Sequence, residues 1–208
     1  MQYPRFLAFS ALALVAAVPV SRAADTAPII QNTQVRVTED TLQPGQSKTL
    51  SDSRPSVIVC FEGDRVSIGL KKDRLDRGEA VFLSAETRHI RNSGSRPLHF
   101  VRVAFLDAGS SEVWGMDGLP PSYKILLENR YTRVYNISIP AHSYGPRHTQ
   151  HGRVVMVLSG AELQEILPDG QRQPSTLKTG EIVWHAASTH VGHNIGDTNL
   201  WVIIVEPK

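Results

Sequence analysis

Short apolar runs separated by turn residues dominate the chain from Gln31 onward. The runs are rich in Val, Ile and Phe and are broken by Gly, Pro, Asp and Ser, which is the pattern of β-strands joined by turns. The clearest predicted strands are Val57–Phe61, Arg65–Leu70, Glu79–Leu83, His99–Phe105, Thr132–Ile139, Arg153–Leu158, Ala161–Leu167, Glu181–Trp184 and Leu200–Val205. Beyond the N-terminal apolar run no segment keeps a helical period, so the pattern predicts an all-β protein.

The predicted strands occur twice along the chain. One offset aligns Val57 with Val154 and Gly63 with Gly160, and a slightly larger offset aligns Gly78-Glu79 with Gly180-Glu181, Thr87 with Thr189 and Asn92 with Asn194. The change of offset fits a longer hairpin in the second copy around Pro168-Asp169-Gly170, which is a turn signature. The repeat predicts two copies of one β module, at residues 32–107 and 126–208, joined by a Gly-, Ser- and Pro-rich connector at 108–125.

The segment 1–23 has the layout of a secretory signal peptide. Arg5 supplies an early positive charge, Phe6 to Val20 form a nearly unbroken apolar run, and Ser21-Arg22-Ala23 place small residues at a cleavage site. The apolar run is short for a membrane span, and an uncleaved anchor is the alternative. Cleavage near Ala23/Ala24 would place the mature protein in the periplasm or outside the cell.

The net charge excludes some classes of binding partner, and the cysteine content excludes an internal disulfide. The chain has 22 basic and 20 acidic side chains, and the predicted signal peptide carries Arg5 and Arg22 but no acidic residue. The mature protein is therefore neutral and lacks the charge expected of a protein that binds nucleic acid or an anionic membrane. The single cysteine, Cys60, lies in an apolar run and is predicted to be a buried hydrophobic residue, because one thiol cannot form an internal disulfide.

Most of the 8 histidines lie in two stretches of the second copy. The first stretch, His148 to Gly160, has the sequence HTQHGRVVMVLSG, and the second, Gly180 to Gly196, has the sequence GEIVWHAASTHVGHNIG. Imidazole is a common ligand for Zn, Fe, Ni and Cu. The mouth of a small barrel can enclose such a metal and leave one position open for a ligand.

These two stretches resemble the paired signature motifs of the cupin superfamily, and the duplicated module resembles a bicupin. The resemblance covers nearly all of the predicted mature chain and is stronger in the second copy. It implies that each copy is a double-stranded β-helix, a small jelly-roll barrel, with a metal bound between the two motifs. Cupins include dioxygenases, isomerases, decarboxylases, sugar binders and storage proteins, so the resemblance implies no single reaction.

The resemblance also implies a set of metal ligands. His148 matches the first position of the first motif and His190 matches the histidine of the second, whereas Gln150 replaces a second histidine and Arg153 stands near the usual Glu. Alternation along a strand puts His151 on the face opposite His148, so His151 becomes a ligand only if a loop precedes the next strand. The predicted ligands are therefore His148 and His190 with His151 or Gln150, for a divalent ion that is Zn, Fe, Mn, Ni or Cu.

Three residues are predicted to contact a small-molecule substrate. The planar guanidinium of Arg153 is suited to a carboxylate, with an exposed arginine before a strand as the alternative. Trp184 and Tyr144 are aromatic side chains that could line a pocket, with core packing or a place at the barrel rim as the alternative. The first copy has Ser51 and Arg88 at the positions of the two motif histidines, so it is expected to be structural and to bind no metal.

The sequence supports three functional hypotheses. The first is an exported cupin-domain protein that binds a divalent metal and a small molecule in its second barrel, with oxygenase or isomerase chemistry as the enzymatic options. The second is a metal-free module that binds a small molecule through Arg153, Gln150 and the aromatic residues. The third is a structural bicupin that forms a homodimer through exposed strands. Whether the protein is an enzyme stays open at this stage.

Overall fold

The structure is a computed structural model that describes residues 26–50, 53–69, 71–86, 89–110 and 122–208. The predicted signal peptide, the central part of the connector, and Ser51 and Arg88 lie outside the described residues. Every regular element in the described part of the chain is a β-strand, and none of its segments is a helix long and apolar enough to cross a membrane. The prediction of an all-β protein is confirmed.

The first copy forms a barrel from two antiparallel sheets. Its strands are β1 (Ile30–Gln31), β2 (Val35–Leu42), β3 (Ser47–Thr49), β4 (Ser56–Glu62), β5 (Arg65–Ile68), β6 (Lys71–Arg74), β7 (Ala80–Leu83), β8 (His89–Asn92) and β9 (Leu98–Phe105). Over the described residues the strand orders are β1-β2-β9-β4-β7 and β3-β8-β5-β6. The barrel interior is filled by Leu42, Leu50, Ile58, Cys60, Val66, Leu75, Leu83, Ile90, Leu98 and Phe100.

The second copy repeats this arrangement. Its strands are β10 (Tyr123–Glu128), β11 (Thr132–Ile139), β12 (His148–Gln150), β13 (Arg153–Ser159), β14 (Ala161–Ile166), β15 (Arg172–Leu177), β16 (Ile182–His185), β17 (Ser188–Asn194) and β18 (Leu200–Pro207). The strand orders are β10-β11-β18-β13-β16 and β12-β17-β14-β15. Strands β2 and β11, β4 and β13, and β9 and β18 have equal lengths and equal places in their sheets. The predicted pair of tandem jelly-roll barrels is confirmed.

The structure adds strands that the apolar pattern does not mark. Strand β15 is largely exposed and β6 is polar in sequence, so neither shows the alternation of a half-buried strand. The β14–β15 hairpin is longer than the β5–β6 hairpin, as the change of offset predicts, and Gly170 N donates to Leu167 O in its turn. Strand β10 begins at Tyr123, before the predicted start of the second copy at residue 126. Its pairing with β11 extends the sheet back to Tyr123.

A shared apolar core joins the two barrels. It contains Val35, Val37, Val57, Val59, Phe61, Val101, Val103 and Phe105 from the first barrel and Val134, Val154, Met156, Leu158, Ile203 and Val205 from the second. Along each strand these side chains alternate with those that face the barrel interior, as the two-residue period of a strand requires. The central strands are therefore apolar on both faces, which explains the continuous apolar runs in β4 and β13.

A buried asparagine has the same role in each barrel. Asn92 Nδ2 donates to Leu42 O at 2.9 Å, and Asn194 Nδ2 donates to Ile139 O at 3.0 Å. Each amide also donates to a carbonyl in the turn that follows, and each Oδ1 accepts a backbone N–H from the same turn. The aligned asparagines therefore tie the end of one strand to the turn after another.

We expect Asn92→Ala and Asn194→Ala to lower the free energy of unfolding by similar amounts, about 2 kcal/mol each, because each leaves one buried carbonyl, Leu42 O or Ile139 O, without its side-chain donor. Urea denaturation followed by circular dichroism measures both losses. Gln171→Ala, in an exposed turn, is the control and should change stability by less than about 0.5 kcal/mol. A loss at only one of the two asparagines would contradict their shared role.

Candidate functional site

The interior of the second barrel is apolar at one end and polar at the other. The inward side chains of β13 are Arg153, Val155 and Val157, and those of the antiparallel strand β18 are Leu200, Val202, Ile204 and Glu206. Arg153 and Glu206 therefore lie at the same end. At the aligned strand positions of the first barrel stand Ser56 and Ala104, and Leu83 stands where the second barrel has His185. The first barrel has a buried arginine of its own near this end, Arg102, which donates to Ser56 Oγ, but it lacks counterparts of Arg153, His185 and Glu206.

A cavity of about 70 Å³, named here the second-barrel cavity, lies in this interior. Its polar lining consists of Tyr123, His148, Gln150, Arg153, Glu165, His185 and His190. Its apolar lining consists of Ile137, Ile139, Val155, Leu163, Leu177, Leu200, Val202 and Ile204, with Gly192 beside them. The volume is enough for a few water molecules or for a ligand of several non-hydrogen atoms. The predicted site residues His148, Gln150, Arg153 and His190 thus line one cavity.

His148 and His190 are direct neighbours across strands β12 and β17. Their ring centroids lie 4.6 Å apart, with the planes tilted by 64°. His148 Nδ1 lies 2.8 Å from Pro146 O, and because a carbonyl only accepts, Nδ1 of the neutral ring carries the proton and Nε2 carries the lone pair. Burial lowers the pKa of His190 to about 4, and electrostatic interactions with His148 and Arg153 act in the same direction. His190 is therefore neutral at physiological pH.

Tyr123 uses the lone pair of His148. Its hydroxyl lies 2.8 Å from His148 Nε2 and donates to it, while Gln150 Nε2 donates to the same hydroxyl oxygen at 3.4 Å. Burial raises the pKa of Tyr123 far above its ordinary value of 10, so the phenol stays protonated. Side chains from β10 and β12 thus form one hydrogen-bonded group at the polar end of the cavity.

Arg153 is a buried cation that forms no ion pair with any described carboxylate. The residue is 4% exposed, and its Nη1 donates to Ala186 O at 3.0 Å and to His151 O at 3.3 Å. Its Nη2 lies 3.4 Å from Ser188 Oγ, and its Nε has no hydrogen-bond partner among the described residues. Burial lowers the pKa of Arg153, but an arginine keeps its charge in a protein.

Glu206 partly balances this charge from a distance. It is 2% exposed, and its Oε1 accepts the backbone N–H of His151 at 3.2 Å, while Arg153 donates to the carbonyl of that same residue. Burial raises the pKa of Glu206, while electrostatic interactions with His151 and Arg153 and a hydrogen bond with Tyr135 oppose this shift. The backbone of His151 therefore separates the two buried charges, and the guanidinium keeps a donor for another anion.

The other three predicted site residues lie outside the lining of the second-barrel cavity. His151 is exposed, and its backbone N–H and carbonyl hydrogen-bond with Glu206 and Arg153. Trp184 lies opposite Val154 on β13 and packs into the core shared by the two barrels, because it is on the outer face of its strand. Tyr144 is 58% exposed and stacks on the ring of His193, with centroids 3.7 Å apart, outside the cavity lining.

The donor set of the cavity does not fit a divalent metal ion. His148 and His190 come together as predicted, but metal sites of this kind use at least three protein ligands, and the described residues contain no group of three His, Cys, Asp or Glu side chains placed to hold a metal. Tyr123 already uses the lone pair of His148 Nε2. The guanidinium of Arg153 adds a positive charge to the same cavity, which opposes binding of a cation.

Four polar residues of this region were not predicted as site residues: Tyr123, Glu165, His185 and Glu206. The sequence could have indicated His185 and Glu165, because residues two apart on a strand share a face. His185 lies two positions from the inward Val183, and Glu165 two positions from the inward Leu163. Glu206 and Tyr123 lie in the same way two positions from Ile204 and Ile125, but only the sheet order shows that their strands flank β11.

Comparison with known proteins identifies the fold. No protein-family model matches the sequence, and no curated protein matches it either. AerE from Microcystis aeruginosa is similar in structure with a TM-score of 0.61 at 14% identity, over 87% of this chain and 96% of AerE. The cupin 2 conserved barrel domain protein from Leptotrichia buccalis has a TM-score of 0.58 at 16% identity, over 92% and 98% of the two chains. Salicylate 1,2-dioxygenase from Pseudaminobacter salicylatoxidans has a TM-score of 0.59 at 10% identity, over 83% and 70%.

The two packed jelly-roll barrels, of which the second has a polar-ended cavity, define a duplicated β-barrel protein. Its solved structural neighbours include cupin-domain proteins, so this chain has the cupin fold in a tandem, bicupin arrangement. The resemblance found in the sequence is confirmed at the level of the fold.

Proposed function

We propose that the second barrel is a metal-independent binding site for a small molecule that carries a carboxylate group. The supporting observation is Arg153, a buried guanidinium that lines the cavity and whose Nε has no partner among the described residues. Burying a charge away from a direct partner costs free energy, so this arrangement is expected where a ligand supplies the anion. A guanidinium and a carboxylate form strong, charge-assisted hydrogen bonds.

The neighbouring side chains suit such a ligand. The amide of Gln150 and the neutral ring of His190 face the same cavity as Arg153, and both can donate hydrogen bonds to a carboxylate. Apolar residues of the opposite end provide contact area for the rest of the ligand and exclude water. Polar groups at one end and apolar walls at the other are typical of small-molecule sites.

In this proposal the first barrel is structural and the protein is exported. The first barrel has an apolar core, its buried Arg102 and Ser56 hydrogen-bond with each other, and its five-stranded sheet covers one face of the second barrel. Export is supported by the pattern of Arg5, Phe6 to Val20 and Ser21-Arg22-Ala23. Secretion of the full chain, compared with a chain that lacks residues 1–23, tests this part of the proposal.

We expect Arg153→Lys to weaken carboxylate binding by about tenfold or more, because an ammonium cannot reproduce the planar, multiple hydrogen bonds of a guanidinium. Isothermal titration calorimetry with acetate, butyrate, 3-methylbutanoate and benzoate, on protein treated with EDTA, measures the affinity. The corresponding neutral amides should bind at least about tenfold more weakly than the acids.

Arg102→Lys is the matched control. Arg102 is 6% exposed and donates from Nε to Ser56 Oγ, but it belongs to the first barrel, so its substitution should leave the affinity unchanged. The proposal fails if no carboxylate binds, or if Arg153→Lys and Arg102→Lys have the same affinity. Binding that appears only after addition of Zn, Fe, Mn, Ni or Cu would instead restore the metal hypothesis.

A further inference from the structure

The second-barrel cavity has a second charged side chain in its lining, Glu165. On β14 the inward positions are Ala161, Leu163 and Glu165, so this half-buried carboxylate follows directly after the apolar wall. Its negative charge acts on Arg153 and on His185, which lie across the cavity on β13 and β16. The cavity therefore presents one buried cation, one carboxylate and an apolar wall to any ligand.

A ligand with one carboxylate is compatible with this lining. Its carboxylate meets Arg153, and an aliphatic tail meets side chains such as Leu163, Val202 and Ile204. Removing such a tail from water contributes favourably in proportion to its apolar area. The tail has to be compact, because the cavity volume is about 70 Å³.

A ligand with two carboxylates is not compatible. Once Arg153, Gln150 and His190 hold the first carboxylate as proposed, the second would lie against uncharged or apolar lining, where it loses its hydration, or towards Glu165, where it meets a like charge. Both placements cost free energy, and the cavity lining in the described residues offers no second arginine or lysine to offset the cost.

We infer that the ligand is a monocarboxylate with a compact apolar tail, and that Glu165 is a specificity residue that excludes a second negative charge. The inference rests on the proposed carboxylate site and adds the class of ligand that this site selects.

The test compares 3-methylbutanoate with malonate, in which a carboxylate replaces the isopropyl group at the same number of non-hydrogen atoms. Isothermal titration calorimetry at neutral pH should give an affinity for 3-methylbutanoate that is at least about tenfold higher than that for malonate. Glu165→Gln should raise the affinity for malonate by about tenfold and change the affinity for 3-methylbutanoate by less than about twofold. Glu162→Gln, on the exposed face of the same strand, should change neither affinity.

The outcomes separate this inference from the proposed function. If malonate binds the parent protein as tightly as 3-methylbutanoate, and both bind less tightly to Arg153→Lys, the carboxylate site stands and the inference is overturned. The same holds if Glu165→Gln leaves the ratio of the two affinities unchanged. If neither acid binds, the proposed function is overturned and the inference with it.

Discussion

Met156→Asp is expected to unfold both barrels. Met156 is fully buried and lies in the shared core, where its β13 position pairs with Ile182 and Ile203 and faces the sheet of the first barrel. An aspartate there places a carboxylate among apolar side chains without a hydrogen-bond partner. The expected cost is more than about 4 kcal/mol, which is comparable to the whole free energy of unfolding of a marginally stable domain.

Circular dichroism and urea denaturation measure this loss. Met156→Leu is the matched control, because it keeps the volume and the apolar character, and it should cost less than about 1.5 kcal/mol. If Met156→Asp left either barrel with the unfolding midpoint of the parent protein, the two barrels would be independently stable. The stability of each barrel would then not depend on the shared core.

The free energy of unfolding is expected to fall by up to about 3 kcal/mol between pH 6.5 and pH 4 through His190 alone. Burial, with the charges of His148, Arg153 and His185, lowers the pKa of this residue from 6.5 to about 4. The unfolded chain therefore takes up a proton at a higher pH than the folded chain does. The folded state loses stability as the pH falls through this interval, and the effect is absent above it.

Urea denaturation at a series of pH values measures this dependence, and His190→Gln should flatten it. His185 contributes with the same sign, because burial lowers its pKa as well, whereas Glu206 contributes with the opposite sign, because burial raises its pKa. The difference between the parent protein and His190→Gln gives the contribution of His190 to the pH dependence of stability. His89→Gln, at an exposed histidine of the first barrel, should keep the slope of the parent protein. Equal slopes for the parent and His190→Gln would refute the expectation.

The fold followed from local patterns because those patterns have local causes. A strand that is buried on one face alternates apolar and polar residues, and a strand that is buried on both faces is continuously apolar. Strands β11, β13 and β18 are therefore easy to recognise in the sequence. The duplication was visible in the sequence because residues such as Asn92 and Asn194 are kept at aligned positions. Their side chains make the same hydrogen bonds to backbone carbonyls in each barrel. Exposed strands such as β15 have no comparable pattern, because solvent accepts any polar side chain.

The candidate site was predicted only in part. His148, Gln150, Arg153 and His190 line one cavity, as their positions near the two motifs suggested. For Trp184 the sequence left a pocket or the core open, and the pairing of β16 with β13 places this side chain in the core shared by the two barrels.

The sequence by itself determined the all-β class, the duplication and the histidine-bearing strands, since these depend on the periodicity and spacing of neighbouring residues. Only the tertiary structure decided the chemistry of the cavity. It brings Tyr123 from the first strand of the second barrel onto His148, and Glu206 from the last strand to the backbone of His151. These contacts join segments that are distant in the sequence, because the order of strands in the sheets brings them together. Burial in the folded barrel then lowers the pKa of His190. A pair of histidines that indicated a metal in the sequence is thereby part of a hydrogen-bonded site beside a buried arginine.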